Sequence, residues 1–258
     1  MQDPKTRKIS TGSFDINKWL YGGYEPGIVT MIAGPPGSGK TNMCILAACS
    51  QARRNNKVIY FDTEAGFSID RVKQIVEETE YENVLGNIIL LNPTSFEEQK
   101  KASLKLLEQI KKEKISLLII DSIAMLYRLE LAEASRDDNT SRNGNENGKG
   151  SEKAKGVNRE MAGQMRLLSE IARKLDIPVL ITNQVYSEFI SKEDFEKGAE
   201  KKVNIVGGDL MKYWSKCIIE LKNDNGRRKA LLLKHRSLPQ MEMAFEIRRK
   251  GIYKKGWI

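Results

Sequence analysis

Short runs of apolar, mostly β-branched residues alternate along this chain with longer stretches whose apolar positions recur every three or four residues. Ile28 to Ala33 is the first such run, and a Gly/Pro turn separates it from a helical stretch over about Lys40 to Arg53. Lys57 to Phe61 reads as a second strand, Ile69 to Glu78 as a helix, and Ile88 to Leu91 as a third strand ended by Asn92-Pro93. Ser95 to Lys112 is helical, with Leu104, Leu107 and Ile110 assigned to its buried face. Leu117 to Ile120 is a continuously apolar strand that delivers Asp121 at its tip, and a further helix begins near Ser122. Such alternation predicts helices packed on a mostly parallel sheet.

The pattern then breaks. From Ser135 to Val157 the residues are Ser, Asn, Gly, Asp, Lys and Arg with almost no apolar member, which predicts a disordered loop over 135–157. Periodicity returns in a helix from Asn158 to Leu175 and a strand from Ile177 to Thr182, followed by a polar loop to about Asn204. Cys217 to Leu221, Lys229 to Leu233 and Met243 to Ile247 are spaced as consecutive hairpins around the turn Asn223 to Gly226. The whole reads as one α/β domain over 1–258 with a folded core over 10–258, a central parallel sheet and C-terminal antiparallel hairpins.

Composition narrows the class. With 40% apolar and 30% charged residues, and no window approaching the roughly 20 apolar residues of a membrane span, the chain predicts a protein with no membrane partner. The start, Met1 to Lys5, has no apolar leader, which predicts a cytoplasmic location. Cys44, Cys49 and Cys217 form neither a CxxC pair nor a zinc-like set with His235, the single histidine, and read as buried small side chains. The formal charge of +9 is uneven, because Gly226 to Ile258 holds ten Lys or Arg against Glu242 and Glu246. Such a segment suits nucleic-acid phosphates or acidic proteins, and equally a solvated surface.

One motif carries specific chemistry. Gly34, Pro35, Pro36, Gly37, Ser38, Gly39, Lys40 and Thr41 match GxxxxGK followed by Ser or Thr, between a predicted strand and a predicted helix. Glycines let successive backbone N–H groups curl round phosphate oxygens at a helix N-terminus, where Lys40 neutralises β- and γ-phosphate charge, Thr41 holds magnesium and Asn42 continues the binding segment. Asp121 fits the second magnesium-holding carboxylate, or a cap for the next helix. Glu64, after the second strand, reads alone either as a surface acid or as a carboxylate that polarises an attacking water. Gln184, in Thr182-Asn183-Gln184 at the end of a strand, reads as a simple polar residue or as a contact to the γ-phosphate or the lytic water.

The order GPPGSGKT, YFDTEAGF, LLIIDS, ITNQVYS, GGDLMKYWSK and LLLKHRSLP resembles the RecA-type ATPase core over nearly the whole chain. Within that superfamily GGDLMKYWSK and KHRSLP look like the archaeal RadB group, accessory paralogues of the main recombinase, RadA. The resemblance implies an ATP- and Mg2+-binding protein of DNA recombination and repair, with Lys40, Glu64 and Gln184 in catalysis and Thr41 and Asp121 at the metal. It implies Glu64 as the base, Arg71 as an adenine-stacking guanidinium, Gln184 as a γ-phosphate sensor, and Lys234 and Arg236 as a pair that reaches into a neighbour's nucleotide site. It also implies two DNA loops, here Arg128 to Val157 and Tyr186 to Val206.

Departures from the family temper the DNA expectation. The second loop sets Lys192, Lys197, Lys201 and Lys202 against five acids, so single-stranded DNA would be held weakly there. The first has scattered cations and no interleaved aromatics for base stacking. Only Met1 to Ser10 precede the core, leaving no Phe-x-x-Ala hook, so a homo-oligomer would not grow into a long filament by that route. The resulting expectation is a weak Mg-dependent ATPase that binds DNA or modulates RadA or a repair nuclease. The alternatives are a nucleotide-gated mediator with little hydrolysis, or a KaiC-like signalling ATPase.

Overall fold

The computed structural model describes residues 8–140, 149–187 and 203–256. Its strands are β1 (Val29–Gly34), β2 (Lys57–Asp62), β3 (Ile88–Leu91), β4 (Ile115–Asp121), β5 (Val179–Ser187), β6 (Val203–Ile205), β7 (Cys217–Asp224), β8 (Arg227–Lys234), β9 (Met241–Arg248) and β10 (Gly251–Lys254). They form one sheet in the order β10-β9-β8-β7-β1-β5-β4-β2-β3, with β6 attached to β5. From β7 across to β3 the pairings are parallel; β7 to β10 form an antiparallel meander. The sheet is therefore the mixed α/β architecture that the alternating pattern predicts.

Helices cover both faces: α1 (Phe14–Trp19), α2 (Lys40–Ala52), α3 (Ile69–Ile75) and α4 (Tyr81–Gly86) on one, and α5 (Phe96–Lys112), α6 (Met125–Thr140), α7 (Lys149–Leu175) and α8 (Gly208–Trp214) on the other. The continuous apolar runs follow from this. Successive side chains of a strand point to opposite faces, so Val58 and Tyr60 enter the core under α2 while Ile59 and Phe61 enter the core under α5 and α7. Leu117 and Ile119 against Leu118 and Ile120 divide in the same way. A strand buried on two sides has no polar face to alternate with.

Three expectations need correction. The stretch 135–157 is helical wherever it is described: α6 runs on to Thr140 and α7 begins at Lys149, with residues 141–148 outside the described set. The burial lies at the margins of the stretch: Ala134 just before it and Val157 at its end are buried, and Tyr127 Oη donates to Asn158 Oδ1 across the two helices. Pairing of long helices supplies the burial that composition alone does not suggest. On α5, Leu104 is 62% exposed, and the buried face runs through Phe96, Gln99, Ser103, Leu106 and Ile110. Two of those five are polar, which hides the face from a count of apolar residues; the Leu107 side chain lies outside the described set. Finally, β5 extends past Thr182 to Ser187, so Gln184 lies inside the strand and not at its end.

The C-terminal hairpin is tight. Asn225 and Gly226, both at positive φ, connect β7 to β8, the Asn-Gly preference of a two-residue turn. All three cysteines are buried, and burial pushes the thiols of Cys49 and Cys217 up to about 12. Among the described residues no helix is long and apolar enough to cross a membrane. The second loop of the resemblance lies mostly outside the described residues, at 188–202.

Candidate functional site

In an open parallel sheet the carboxyl ends of the strands gather ligand-facing residues into a crevice. Here the ends of β1, β2, β4 and β5 surround a depression of about 490 Å³ lined by Lys40, Thr41, Glu64, Asp121, Gln184 and Arg228, among others. Pro36, Gly37, Gly39 and Asn42 also border it, whereas Arg71, Lys234 and Arg236 do not.

The loop between β1 and α2 is shaped by its glycines. A Cβ on Gly34 would lie 2.7 Å from the Leu221 carbonyl oxygen and 2.7 Å from Ser38 Oγ, so only glycine lets β1 end this close to β7. Gly39 sits at φ +111, where an L side chain is strained, and a Cβ there would meet Ile247 Cδ1 at 2.9 Å. Gly39 is also the N-cap of α2, and it offers no side-chain cap. The first turn holds no acid. A helix N-terminus carries unpaired N–H groups and partial positive charge, so this one faces the depression with its donors uncommitted. Ser38 Oγ, buried within the loop, has no hydrogen-bond partner either.

Lys40 rests on the same loop. Its Nζ donates to the carbonyl oxygens of Gly34 at 2.9 Å and Pro35 at 3.0 Å. Burial lowers its pKa, while the nearby carboxylates of Glu64 and Asp121 act in the opposite sense. A cation that lies on neutral carbonyls is replaceable: an anion would make stronger, charge-assisted bonds with it.

Asp121 is buried at the end of β4 and fully engaged. Tyr60 Oη donates to Oδ2 at 2.8 Å and Thr182 Oγ1 donates to Oδ1. Burial raises its pKa, and the hydroxyls of Thr182, Thr41 and Tyr60 pull it back. Thr41 and Asp121 thus face one another as hard oxygen donors, the kind magnesium takes one or two of alongside phosphate oxygens.

Glu64 is exposed but its backbone is fixed. The Asp62 carboxylate accepts from Gly66 N and Phe67 N, each at 2.9 Å, closing the loop that holds Glu64. Thr63 N donates to the Asp121 carbonyl, Thr63 Oγ1 donates to Ser122 O, and Ser122 N donates back to Thr63 Oγ1. The ends of β2 and β4 are therefore tied together. Gln184 Nε2 donates to Glu64 Oε1 at 3.1 Å, and Arg128 donates to Gln184 Oε1 at 3.3 Å. Because an arginine only donates, Arg128 fixes the amide orientation and turns the Gln184 NH2 toward Glu64.

Three expected site residues lie elsewhere. Arg71 donates to the carbonyl oxygens of Arg248 and Arg249 in the β9–β10 turn and to Gln74 Oε1. Lys234 Nζ donates to Lys212 O, and Arg236 Nε pairs with the buried Glu25 at 2.6 Å. Because β8 runs antiparallel to β7, Arg228 lies beside the depression and Lys234 six residues away, roughly 20 Å along the strand. Lys234 and Arg236 cannot reach this depression from within the chain; only a neighbour's site remains open to them.

Sequence reading missed four neighbours of the site. Tyr60 and Thr182 are strand residues whose side chains turn toward Asp121, and the only signal is their adjacency to the motifs. Arg128 and Arg228 come from α6 and β8 and have no local pattern that marks them.

Comparison with known proteins agrees with this arrangement. The family model described as Rad51 matches residues 3–255. The protein named DNA repair and recombination protein RadB of Methanobrevibacter smithii is 40% identical, over 95% of this chain and 95% of its own length. Its namesake in Methanocaldococcus jannaschii is 39% identical over 92% of this chain and 98% of its own length. That of Methanothermobacter thermautotrophicus is 35% identical over 96% of both. A family model that spans all but the extreme ends, and relatives alike over almost their full length, agree with the glycine-shaped loop and the crevice beside it: the chain belongs to the Rad51 family.

Proposed function

We propose that this protein is an ATP-binding recombination protein of the RadB kind, acting in DNA repair and hydrolysing ATP weakly in the presence of Mg2+. The observation that carries the reading is the N-terminus of α2, uncapped and free of acids, beside a lysine that rests on neutral carbonyls. That combination suits a polyphosphate. In this reading the loop amides and Lys40 bind the phosphates, and Thr41 and Asp121 hold Mg2+. The ion, when bound, neutralises charge on the β- and γ-phosphates. Glu64 accepts the proton of the attacking water. Gln184 contacts the γ-phosphate or that water, exchanging its bond to Glu64. Arg71 offers the face of its guanidinium to the adenine, its edge being held by the β9–β10 turn.

Coupling to DNA follows the same residue. Val206 N donates to the Gln184 carbonyl at 3.1 Å, and Asn183 Nδ2 donates to Val206 O at 2.8 Å. β5 and β6, the strands on either side of 188–202, are thus joined beside Gln184, and in this reading a shift there on nucleotide binding alters the weak contact of 188–202 with single-stranded DNA. RadA or a nuclease is the protein partner of the reading, with Lys234 and Arg236 offered to a neighbouring subunit's nucleotide.

The test is ATP turnover by purified protein with and without single-stranded DNA, at low and moderate salt, beside Glu64→Ala. The expected outcome is slow, DNA-stimulated hydrolysis that the variant lowers by about 10²- to 10⁴-fold while ATP binding stays. Binding without turnover in the wild type would instead make the chain a nucleotide-gated mediator, and absence of binding would contradict the proposal.

A further inference from the structure

Arg228 belongs to none of the motifs, yet it lines the depression beside Lys40. It stands second in β8, opposite Phe245 of β9. That hairpin is pressed against the phosphate loop: a Cβ on Gly39 would lie 2.9 Å from Ile247 Cδ1 and 3.8 Å from Phe245 Cε2. A rigid pair of strands therefore sets where the guanidinium stands, which is the condition for a precise binding group.

What the guanidinium does there is incomplete. One terminal nitrogen donates to the Gly37 carbonyl oxygen at 3.4 Å, a long bond, and Nε is buried with no hydrogen-bond partner. Its neighbour Lys229 differs, since it is paired with Glu242 on the exposed side of the hairpin. Arg228 and Lys40 have the same arrangement, each a cation lying on carbonyl oxygens of one loop, at the mouth of one uncapped helix. An arginine presents a planar fork that matches two phosphate oxygens, and a buried N–H without a partner favours a ligand that supplies one.

Resting on the reading of the loop as a polyphosphate site, we propose that Arg228 is a second cation for the nucleotide's terminal phosphate, supplied in cis by the C-terminal hairpin. Lys40 and the α2 amides hold the phosphates from one side, and Arg228 closes on the terminal group from β8, leaving the Gly37 carbonyl.

The experiment is titration of ATP and of ADP against the full chain, with Mg2+, for wild type, Arg228→Gln, Arg228→Lys, Lys40→Ala and the charge control Lys229→Gln, each checked by a melting curve. Loss of one charge-assisted contact predicts that Arg228→Gln weakens ATP about tenfold and ADP less than about threefold, with Lys229→Gln unchanged. Arg228→Lys, which keeps the charge and loses the fork, shows the same preference at a smaller size and carries the test if the Gln variant melts early. Equal weakening of ATP and ADP would make Arg228 a mere clamp on the loop and overturn the proposal, as would ATP affinity within twofold of wild type while Lys40→Ala loses binding. If Lys40→Ala also binds normally, the polyphosphate reading itself is wrong and the proposal falls with it.

Discussion

The two ends of the sheet hold comparable sets of charged residues in opposite conditions. At the carboxyl ends of β1, β2, β4 and β5, Lys40 and Arg228 lie on backbone carbonyls, the α2 N-terminus has no cap, and Ser38 Oγ has no partner. At the other end, Arg236, Lys8 and His235 gather round the buried Glu25, and Lys234 is held by Lys212 O. The cations of the first set rest on neutral carbonyls, with the carboxylates of Glu64 and Asp121 near Lys40 but not bonded to it. The second already contains its anion, and Arg236 must release Glu25 before it can serve any neighbour. A basic motif in a sequence therefore does not tell a binding site from an internal ion-pair cluster; what decides is whether the chain itself supplies the counter-charge.

The largest effect that can break this contrast is on nucleotide affinity. Lys40→Ala is expected to weaken Mg-ATP binding by about 100-fold or more, measured by calorimetric titration, because it removes a buried charge from the phosphates. Arg236→Ala in the same dilute protein is expected to change affinity by less than about twofold, since the pair is spent on Glu25. A loss of equal size in both variants would mean that the two ends act on one site.

Smaller is the effect of Tyr60→Phe, which keeps the packing and deletes the hydroxyl donor to Asp121. Removing one partner of a buried carboxylate costs about 1.5–3 kcal/mol, read from denaturant midpoints. Since that bond holds the Asp121 pKa down against burial, the variant should also raise it further, and magnesium affinity at mildly acid pH should fall first in Tyr60→Phe.

The smallest effect sharpens the description of the far end. His235 Nδ1 accepts from Ser237 N and Leu238 N, each at 3.1 Å, and burial lowers its pKa below the ordinary 6.5, with Glu25 opposing. The unfolded chain then binds more protons than the fold just below pH 6.5, so this residue's contribution favours folding less as pH falls through 6.5 toward the lowered value. His235→Asn keeps an acceptor for those backbone groups and removes the titration, so its denaturation midpoint should depend less on pH between 7 and 5.5 than that of the wild type. Asp121 works in the other direction at more acid pH: its raised pKa means that the fold holds the proton above 3.8, and its contribution weakens as pH rises through that window.

Much of the near end was legible in the sequence because backbone geometry dictates residue type there. Gly34 and Gly39 stand where a Cβ meets Leu221 O or Ile247, and Asp121 ends a strand too apolar to be anything but buried. The contacts that demand glycine come from distant strands, but the demand is written in the residue types of one short loop, so a window of eight residues carries it. Arg128, Tyr60 and Arg228 were not legible, because they reach the site through strand order and helix packing, which bring together residues 56 to 191 positions apart. The helical extent of 135–157 was hidden for another reason. Its buried apolar residue, Val157, stands at one end, with Ala134 just before the other, and an average over composition dilutes such positions. On α5, Gln99 is buried because Gln164 Oε1 and the Ile123 carbonyl both accept from its amide, a compensation no hydropathy pattern records.

The contrast between the two ends is tested most directly by amide hydrogen exchange of the dilute, full chain with and without Mg-ATP. Added protection is expected at 34–42 and 62–67, where the loop amides and the Glu64 loop gain a ligand, and no change at 234–238. Protection at 234–238 with none at 34–42 would contradict it, because the nucleotide would then be bound where the chain has already supplied its own counter-charge.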